Sequence, residues 1–345
     1  MVFYRKYRPQ KIDELDKEDV RNRLKSIFKV GEIPHAFLFS GPKGTGKTST
    51  ARIVAKIVNC EIRENEEFEP CGKCDNCKSI RDGTNIDVFE IDAASNRGID
   101  EIRALREGIN LAPATGKFKV YIIDEVHMLT REAFNALLKT LEEPPSHTVF
   151  ILATTEFEKL PETIVSRCVV LQFSKATESE IIRSLERVAG MEKIEAGKKV
   201  LSLIAKVSDG SFRDAVKILE EGNLLGKLDE EKIREVIGQK ISVLDFMEIL
   251  LKKETKEALG YIEKAADTGF DLKRFLEAVL NFLHDLLLAK YEVSTKSEEI
   301  SRKLPFSEKE LKRLIELFSR SYKEAKLGFL EELPLEMAVI EWCGN

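Results

Sequence analysis

The stretch that decides the fold lies at residues 41–48 and reads Gly41-Pro42-Lys43-Gly44-Thr45-Gly46-Lys47-Thr48. An apolar run at residues 36–39 precedes it, and an apolar stripe with helical spacing at residues 51–58 follows it. This strand–loop–helix setting is what a phosphate-binding P-loop requires. The glycines let backbone N–H groups face phosphate oxygens, and the helix start adds partial positive charge. The loop therefore predicts a nucleoside triphosphate site, in which Lys47 reaches the terminal phosphates and the Thr48 hydroxyl can ligate magnesium.

A second motif strengthens this interpretation. Residues 120–125 read Val-Tyr-Ile-Ile-Asp-Glu, an apolar strand that ends in two carboxylates. Asp124 is predicted to serve the magnesium ion, and Glu125 can polarise a water for attack on the γ-phosphate. A Gly-rich loop alone could be an ordinary strand-to-helix turn, but the pairing with Asp124 and Glu125 argues against that alternative. The two acids favour hydrolysis over mere binding. His127 is more simply a structural histidine, since Glu125 already supplies the base.

Apolar runs that predict strands alternate with helical patterns along the first half of the chain. The predicted strands lie at residues 36–40, 86–91, 119–124, 149–155 and 169–173. Such alternation indicates an α/β fold with a parallel five-stranded sheet covered on both faces, and the nucleotide is expected at its carboxyl edge. One helix is especially clear, since Thr130 can cap it, its apolar face begins at Ala133, and the proline pair at residues 144–145 ends it.

The strand pattern stops near residue 174, which indicates a change of domain. Three helical segments follow up to about residue 226, and a further helical block begins at residue 229. A chain of 345 residues exceeds what one core usually serves. We therefore predict three domains: a nucleotide-binding domain at 1–174, a small helical domain at 175–227 and an all-helical domain at 228–345.

Composition describes a soluble globular protein with a densely charged surface. Hydrophobic residues make up 43% and charged residues 33% of the chain, and the formal net charge is −5. The sequence lacks a run of about twenty apolar residues and an apolar signal region, so the cytoplasm is the expected location and no membrane partner is expected. The negative charge argues against a surface that is basic throughout, although a local basic strip remains compatible with it.

Four of the six cysteines lie close together in the sequence, at Cys60, Cys71, Cys74 and Cys77. In a reducing compartment this spacing is typical of a metal site rather than of disulfides. Four thiolates satisfy tetrahedral zinc and leave no open position, which predicts a structural zinc module at residues 60–77. An iron–sulfur cluster is the alternative. Unliganded surface cysteines fit poorly, because the intervening residues offer the thiols no apolar burial.

Several longer motifs match one known family. They are residues 4–10 (Tyr-Arg-Lys-Tyr-Arg-Pro-Gln), the loop at 41–48, the four-cysteine insertion, 91–95 (Ile-Asp-Ala-Ala-Ser), 123–129 (Ile-Asp-Glu-Val-His-Met-Leu), 137–145 (Leu-Leu-Lys-Thr-Leu-Glu-Glu-Pro-Pro), 152–155 (Leu-Ala-Thr-Thr) and 166–168 (Ser-Arg-Cys). The chain resembles the bacterial DNA polymerase III gamma/tau family. The likeness is strong over about the first 220 residues and rests on helical character beyond them.

The resemblance implies an AAA+ ATPase module with a helical lid, followed by a collar domain that mediates oligomerisation. It implies that Thr155 senses the γ-phosphate, that Arg213 is a second sensor on the lid, and that Arg8 and Pro9 pack near the nucleotide. Arg167 corresponds to the arginine finger, which acts on the ATP of a neighbouring subunit. The structural alternatives are a strand-end hydroxyl for Thr155, a surface ion-pair partner for Arg167 and a solvated charge on the lid helix for Arg213.

The same resemblance implies partners. A family member works as an ATP-driven motor that loads a sliding clamp onto primed DNA, together with delta and delta-prime subunits of the DNA polymerase III holoenzyme. Arg97, Lys139 and Lys159 fall near positions where the family places cations toward DNA phosphates, and ordinary solvated side chains are the alternative. The family commonly has Val-Gly-Gln near the adenine, whereas this chain has Glu-Leu-Asp-Lys-Glu at residues 14–18.

Two other functions are compatible with parts of the sequence. A subunit that does not hydrolyse ATP and only donates Arg167 is one, but the intact set of Lys47, Thr48, Asp124 and Glu125 argues against it. A small-molecule kinase could use the same loop. That function leaves the cysteine module and the helical last third without a purpose.

Overall fold

A computed structural model describes most of the chain. The described residues are 2–29, 31–62, 69–95, 108–109, 111–226, 228–230, 232–233, 236, 243–267, 272–291, 304–325 and 332–344. They divide into two compact units, Met1–Ile233 and Arg234–Asn345. The finer division of the first unit after residue 174 stays a prediction.

A five-stranded sheet forms the centre of the first unit. Its strands are β1 (Ala36–Ser40), β2 (Val88–Asp92), β3 (Lys119–Asp124), β4 (Thr148–Thr154) and β5 (Val169–Gln172). The strands are ordered β2-β3-β4-β1-β5, and every described pair is parallel. This agrees with the predicted α/β class, and the strand bounds differ from the expected ones by at most two residues.

Helices cover both faces of this sheet and build the region after it. They are α1 (Phe3–Lys6), α2 (Glu18–Lys29), α3 (Lys47–Asn59), α4 (Asp75–Asp82), α5 (Arg131–Glu142), α6 (Glu162–Val165), α7 (Glu178–Glu192), α8 (Lys198–Val207) and α9 (Phe212–Leu224), with short 3-10 turns at Val126–Met128 and Phe157–Lys159. The predicted capping of α5 is confirmed, because Thr130 Oγ1 accepts the Ala133 N–H at 3.3 Å.

Successive side chains along the strands pack into two separate apolar cores, one on each face of the sheet. Phe37, Ile122 and Ile151 point to the face that α2 and α3 cover. Leu38 and Ile123 point to the opposite face, where α5 supplies its apolar side. A strand buried on both faces explains why β1, β3 and β4 appear as almost continuous apolar runs in the sequence.

Every described secondary-structure element of the second unit is a helix. Its helices are α10 (Val243–Lys252), α11 (Thr255–Asp267), α12 (Leu272–Lys290), α13 (Glu308–Glu324) and α14 (Leu333–Cys343). They share one core, in which Phe246 contacts the rings of Phe275 and Phe318. Trp342 closes this core, and its indole N–H donates to Leu250 O at 2.8 Å. Among the described helices, none combines the length and the apolar character that crossing a membrane demands.

Candidate nucleotide site and four-cysteine cluster

The carboxyl ends of three neighbouring strands meet at one edge of the sheet. Ser40 of β1 lies opposite Thr154 of β4, and Ile123 of β3 lies opposite Leu152 of the same strand. The loop after β1, the acids after β3 and the hydroxyls after β4 therefore reach the same region. Parallel α/β sheets characteristically bind ligands at this edge.

The loop at 41–48 is shaped by close backbone approaches. Gly41 has φ 146°, and a Cβ there would lie 1.9 Å from the Phe173 carbonyl oxygen. Gly44 has φ 79°, and a Cβ there would lie 2.0 Å from Ser211 Oγ at the start of α9. Its carbonyl also accepts the Phe212 N–H at 3.0 Å. The loop is thus held between the end of β5 and the first turn of α9.

Lys47 starts the helix that follows this loop, and its ammonium group lies inside the curve of the loop. Nζ donates to Gly41 O at 2.6 Å and to Pro42 O at 2.9 Å. The side chain is buried, which lowers the pKa of Lys47, while the nearby carboxylates of Glu125 and Asp124 act in the opposite direction. The structure therefore brings together the cation and the two acids that the sequence predicted as one site.

The Thr48 hydroxyl donates to Asp124 Oδ2 at 2.8 Å. These are the two side chains predicted to hold magnesium. An oxygen pair of this kind, one hydroxyl and one carboxylate, matches the hard donors that Mg²⁺ prefers. The residues present therefore fit the ion.

Glu125 has an unusual backbone and a defined partner. Its φ of 49° and ψ of 45° place it in the left-handed region, which non-glycine residues seldom adopt. Its Oε2 accepts the Thr155 hydroxyl at 2.8 Å and the Thr155 N–H at 3.3 Å. Thr155 thus contacts the carboxylate that was predicted to activate water.

His127 is buried behind this pair and links several polar groups. Nδ1 lies 3.0 Å from Thr154 Oγ1 and 3.5 Å from Glu125 Oε2. Nε2 lies 3.1 Å from Glu156 Oε1. Both ring nitrogens have protein partners, in keeping with the structural role expected for this histidine.

A cavity of about 430 Å³ opens beside the loop, which is within the usual size of a small-ligand site. Arg8, Pro9 and Arg213 line it together with the residues of the loop, Asp124 and Glu125. Burial lowers the pKa of Arg8. Arg187 and Val188 of α7 and Val216 of α9 line the same cavity, as do residues 15–17.

Tyr4 and Asp92 are among the lining residues that sequence reasoning missed. Tyr4 lies under Arg213, whose Cζ is 4.7 Å from the ring centroid, a geometry typical of a cation–π contact. Asp92 ends β2 directly opposite Asp124. A carboxylate at a strand end was a signal that could have identified Asp92, whereas the sequence offered nothing that paired Tyr4 with Arg213.

Arg167 lies between α6 and β5, and it is absent from the described lining of this cavity. Its Nη2 is 2.8 Å from Glu142 Oε1, and its Nη1 donates to Thr163 O at 2.8 Å. The side chain is partly exposed. Within its own chain, Arg167 is a surface ion-pair partner.

The three cations predicted to face DNA differ in their surroundings. Lys139 is exposed on α5. Lys159 is exposed and pairs with Glu156 Oε2 at 2.6 Å. Arg97 lies outside the described residues.

The four-cysteine cluster is confirmed as a spatial group. The sulfur atoms of Cys60, Cys71, Cys74 and Cys77 all lie within 4.8 Å of one another. Cys60 directly follows α3, and Cys74 caps α4, its Sγ accepting the Cys77 N–H at 3.4 Å. Four thiols gathered without any disulfide form a donor set suited to a soft or borderline metal ion.

Backbone N–H groups also point at these sulfurs. Cys71 Sγ accepts from Cys74 N at 3.3 Å and from Lys73 N at 3.4 Å, and Cys60 Sγ accepts from Cys71 N at 3.3 Å. Burial acts to raise the pKa of the Cys71 thiol, but the N–H groups of Cys74 and Lys73, together with the side chains of Cys60 and Cys74, outweigh burial and lower the pKa to about 7. At Cys60 and Cys77 burial prevails and raises the pKa.

Comparison with known proteins places these features in a family. Residues 16–177 match the family model for "DNA polymerase III, delta subunit", and residues 228–344 match "DNA polymerase III subunits gamma and tau domain III". Among solved structures, the Thermotoga maritima RuvB Holliday junction branch migration motor has a TM-score of 0.53 at 19% identity, covering 77% of this chain and 86% of that one. This likeness supports the AAA+ fold alone.

Curated relatives give a closer match in sequence. The DNA polymerase III subunit tau of Bacillus subtilis is 38% identical over 99% of this chain and 63% of its own length. The tau subunit of Escherichia coli is 41% identical over 84% of this chain, which spans 45% of that relative. The gamma subunit of Buchnera aphidicola from Baizongia pistaciae is 38% identical over 86% of this chain and 80% of its own length. The chain therefore belongs to the DNA polymerase III gamma/tau subunit family.

Proposed function

We propose that this chain is the ATP-hydrolysing motor subunit of a bacterial sliding-clamp loader, acting within the DNA polymerase III holoenzyme. One observation carries the proposal. Lys47, the Thr48–Asp124 pair and the Glu125–Thr155 pair meet at one sheet edge, beside a cavity lined by the lid. Each group has a partner that fixes its position before any ligand arrives.

Their chemistry suits phosphoryl transfer to water. Lys47 and the N–H groups of Gly44, Thr45 and Gly46 would bind the phosphate oxygens. Thr48 and Asp124 would hold Mg²⁺, which when bound neutralises charge on the β- and γ-phosphates. Glu125 would orient and polarise the attacking water, and Thr155 would hold that carboxylate while sensing the γ-phosphate. Arg213, supported by Tyr4, would report the same event to the lid.

Arg167 would complete a neighbour's site rather than its own. Its present partners, Glu142 and Thr163, lie on the surface, so another subunit can approach the guanidinium. A cation at the transferring phosphoryl group can contribute about 10³–10⁵ in rate. ATP sites would then lie at subunit interfaces, and hydrolysis by the isolated chain would be slow.

We assign zinc to the four cysteines. Tetrahedral Zn²⁺ with Zn–S bonds of about 2.3 Å needs sulfurs about 3.8 Å apart, and Cys71 Sγ and Cys77 Sγ are 3.9 Å apart. In a 4Fe–4S cluster each cysteine binds a different iron, so all four sulfurs stand further apart than in this four-cysteine cluster, where they lie within 4.8 Å of one another. Protein purified without added metal is expected to carry about one zinc per chain, lost when Cys74 and Cys77 are both changed to serine. Copurified iron with visible absorbance would overturn this assignment.

The remaining assignments complete the proposal. Residues 1–174 would bind the nucleotide, 175–227 would form the lid, and 228–345 would form the collar that joins delta, delta-prime and further copies. Lys139, Lys159 and Arg97 would contact the phosphates of primed DNA without reading its sequence. The location would be the cytoplasm.

The deciding experiment measures ATP hydrolysis by the chain alone, then with the other loader subunits, the sliding clamp and primed DNA. Stimulation upon assembly is expected, with a loss of about 10³-fold or more for Arg167→Ala. Arg131→Ala serves as the matched control, because Arg131 is exposed on the helix that carries Glu142. Equal rates for the two variants in the full assembly would show that Arg167 takes no part in hydrolysis. A chain that binds no ATP would overturn the proposed ATPase function.

A further inference from the structure

The cysteine module contacts the segment at residues 8–17, and residues at both ends of this segment line the nucleotide cavity. Glu69, two residues before Cys71, directs both carboxylate oxygens at consecutive backbone amides. Oε2 accepts the Ile12 N–H and Oε1 accepts the Asp13 N–H, each at 2.8 Å. A carboxylate that binds two successive N–H groups fixes both the position and the direction of the chain it holds.

The held segment lies between two groups of cavity-lining residues. Arg8 and Pro9 line the cavity on one side of it, and Leu15, Asp16 and Lys17 line it on the other. Ile12 is only 1% exposed, so this part of the segment cannot shift without leaving the core of the sheet. A displacement at residues 12–13 would therefore move both groups of lining residues.

Further described contacts of this segment lead to the P-loop helix and to α7. Lys56 Nζ on α3 donates to Gln10 Oε1. Asp16 pairs with Arg187 of α7 at 2.9 Å, and Lys17 Nζ lies 3.5 Å from Glu180 of the same helix. Asp13 also pairs with Lys25 of α2, and Lys17 Nζ donates to Ser174 Oγ at 2.8 Å. Glu69 supplies the contact that comes from the cysteine module.

Resting on the nucleotide site proposed above, we infer that Glu69 is a positioning residue through which the metal-bound cysteines set the affinity for nucleotide. With the metal in place, Cys71 fixes the backbone beside Glu69, and the carboxylate holds residues 12–13. Without the metal, Glu69 is released and two amides lose their acceptor. The residues flanking them then lose their fixed place around the cavity. The module thereby acts on binding, not on the hydrolytic step.

The test uses the full chain, a fluorescent ATP analogue and zinc quantification on the same samples. Glu69→Ala is expected to raise the Kd for nucleotide about tenfold, corresponding to the loss of a charge-assisted contact, while zinc stays near one per chain. Glu69→Gln should fall in between, since its amide offers one neutral acceptor. Glu61→Ala is the matched control, because that acid of the same module contacts Asn76 instead.

Two further measurements separate positioning from general damage. Hydrogen exchange at the amides of Ile12 and Asp13 should accelerate in Glu69→Ala but not in Glu61→Ala, with or without nucleotide. In the assembled loader KM should rise while kcat stays unchanged. Zinc removal by a chelator should raise Kd in the wild type and raise it much less in Glu69→Ala, because the coupled contact is already absent.

The outcomes are distinguishable. A wild type that binds no nucleotide overturns the proposed function and this inference together. Nucleotide binding by the wild type with equal Kd for Glu69→Ala and Glu61→Ala overturns the inference alone. Additive effects of zinc removal and Glu69→Ala would also overturn it.

Discussion

The nucleotide cleft and the four-cysteine cluster are built in opposite ways. The cleft collects residues from distant parts of the chain, from Tyr4 to Val216, and packing together with hydrogen bonds and a cation–π contact places them. The cluster collects four thiols from one short stretch, and most of the described bonds around them are N–H···S contacts. The first site is pre-organised by the fold. On the proposed zinc assignment, the second would gain its rigidity from the bound ion. Substitutions in the cleft and changes at the cysteines should therefore have different effects.

The largest effect is expected when the negative charge of Glu125 is removed from the cleft. Glu125→Gln keeps the size of the side chain and the Thr155 contact but removes the proposed base, so ATP hydrolysis should fall by about 10²–10⁴-fold. The Kd for nucleotide should change little, and zinc content should not change. Steady-state hydrolysis in the assembled loader checks this.

Glu158→Gln, an exposed acid on the neighbouring turn, is the control. Hydrolysis by Glu125→Gln at the wild-type rate would show that another group activates the water.

Two glycine substitutions, one in the cleft and one in the cysteine cluster, compare how tightly the two regions are packed. Gly41→Ala places a methyl group 1.9 Å from the Phe173 carbonyl, so the free energy of unfolding should drop by about 3 kcal/mol. Gly72→Ala, beside Cys71, meets open space and bears only the cost of its φ of 69°, about 1 kcal/mol. Urea denaturation of the zinc-loaded chain measures both. Equal losses would contradict the view that the cleft is the tightly packed site.

The smallest effect is expected at a buried carboxylate beside the cysteine module, at the amino end of β2. Asp87 is buried, and its carboxylate accepts the N–H groups of Ala114, Thr115 and Gly116 at 2.7–2.8 Å. The Thr115 carbonyl faces the Asn76 side chain of α4 at 3.5 Å. Asp87→Asn should lower the free energy of unfolding by about 1–2 kcal/mol. Asp82→Asn, a surface acid paired with Arg81, should change it little.

The pH dependence of this contribution has a definite sign. Burial alone would raise the pKa of Asp87, but the N–H groups it accepts outweigh burial and hold that pKa below its usual range. The stabilisation is therefore complete above the usual carboxyl pKa and is lost as pH falls through the lowered value. The difference between wild type and Asp87→Asn should be constant near neutrality and shrink in acid. A difference that grew in acid would contradict this account.

Sequence predicted the parts of both sites that have local signatures. The loop at 41–48, the acids after β3 and the cysteine spacing each occupy a short stretch whose chemistry is visible in the residues. Strand bounds shifted slightly at β2, because burial patterns fade on an edge strand.

The long-range contacts were not predictable in the same way. Glu69 with residues 12–13, Tyr4 with Arg213, and Arg167 with Glu142 join ordinary polar residues far apart in the chain. Nothing in their composition or spacing marks them, since which pairs meet depends on how the whole sheet and lid assemble. Roles such as those of Arg8 and Thr155 came only from family resemblance, and the structure supplies their contacts.

The left-handed backbone of Glu125 has an evolutionary consequence. A glutamate in this conformation costs about 1–2 kcal/mol that glycine would not incur. Selection for thermal robustness alone would therefore replace it, and a library screened only for heat resistance should drift toward glycine or asparagine here. The chain keeps an acid at this position although the backbone conformation favours glycine. This is expected of a residue that is retained for its chemistry at a cost in stability.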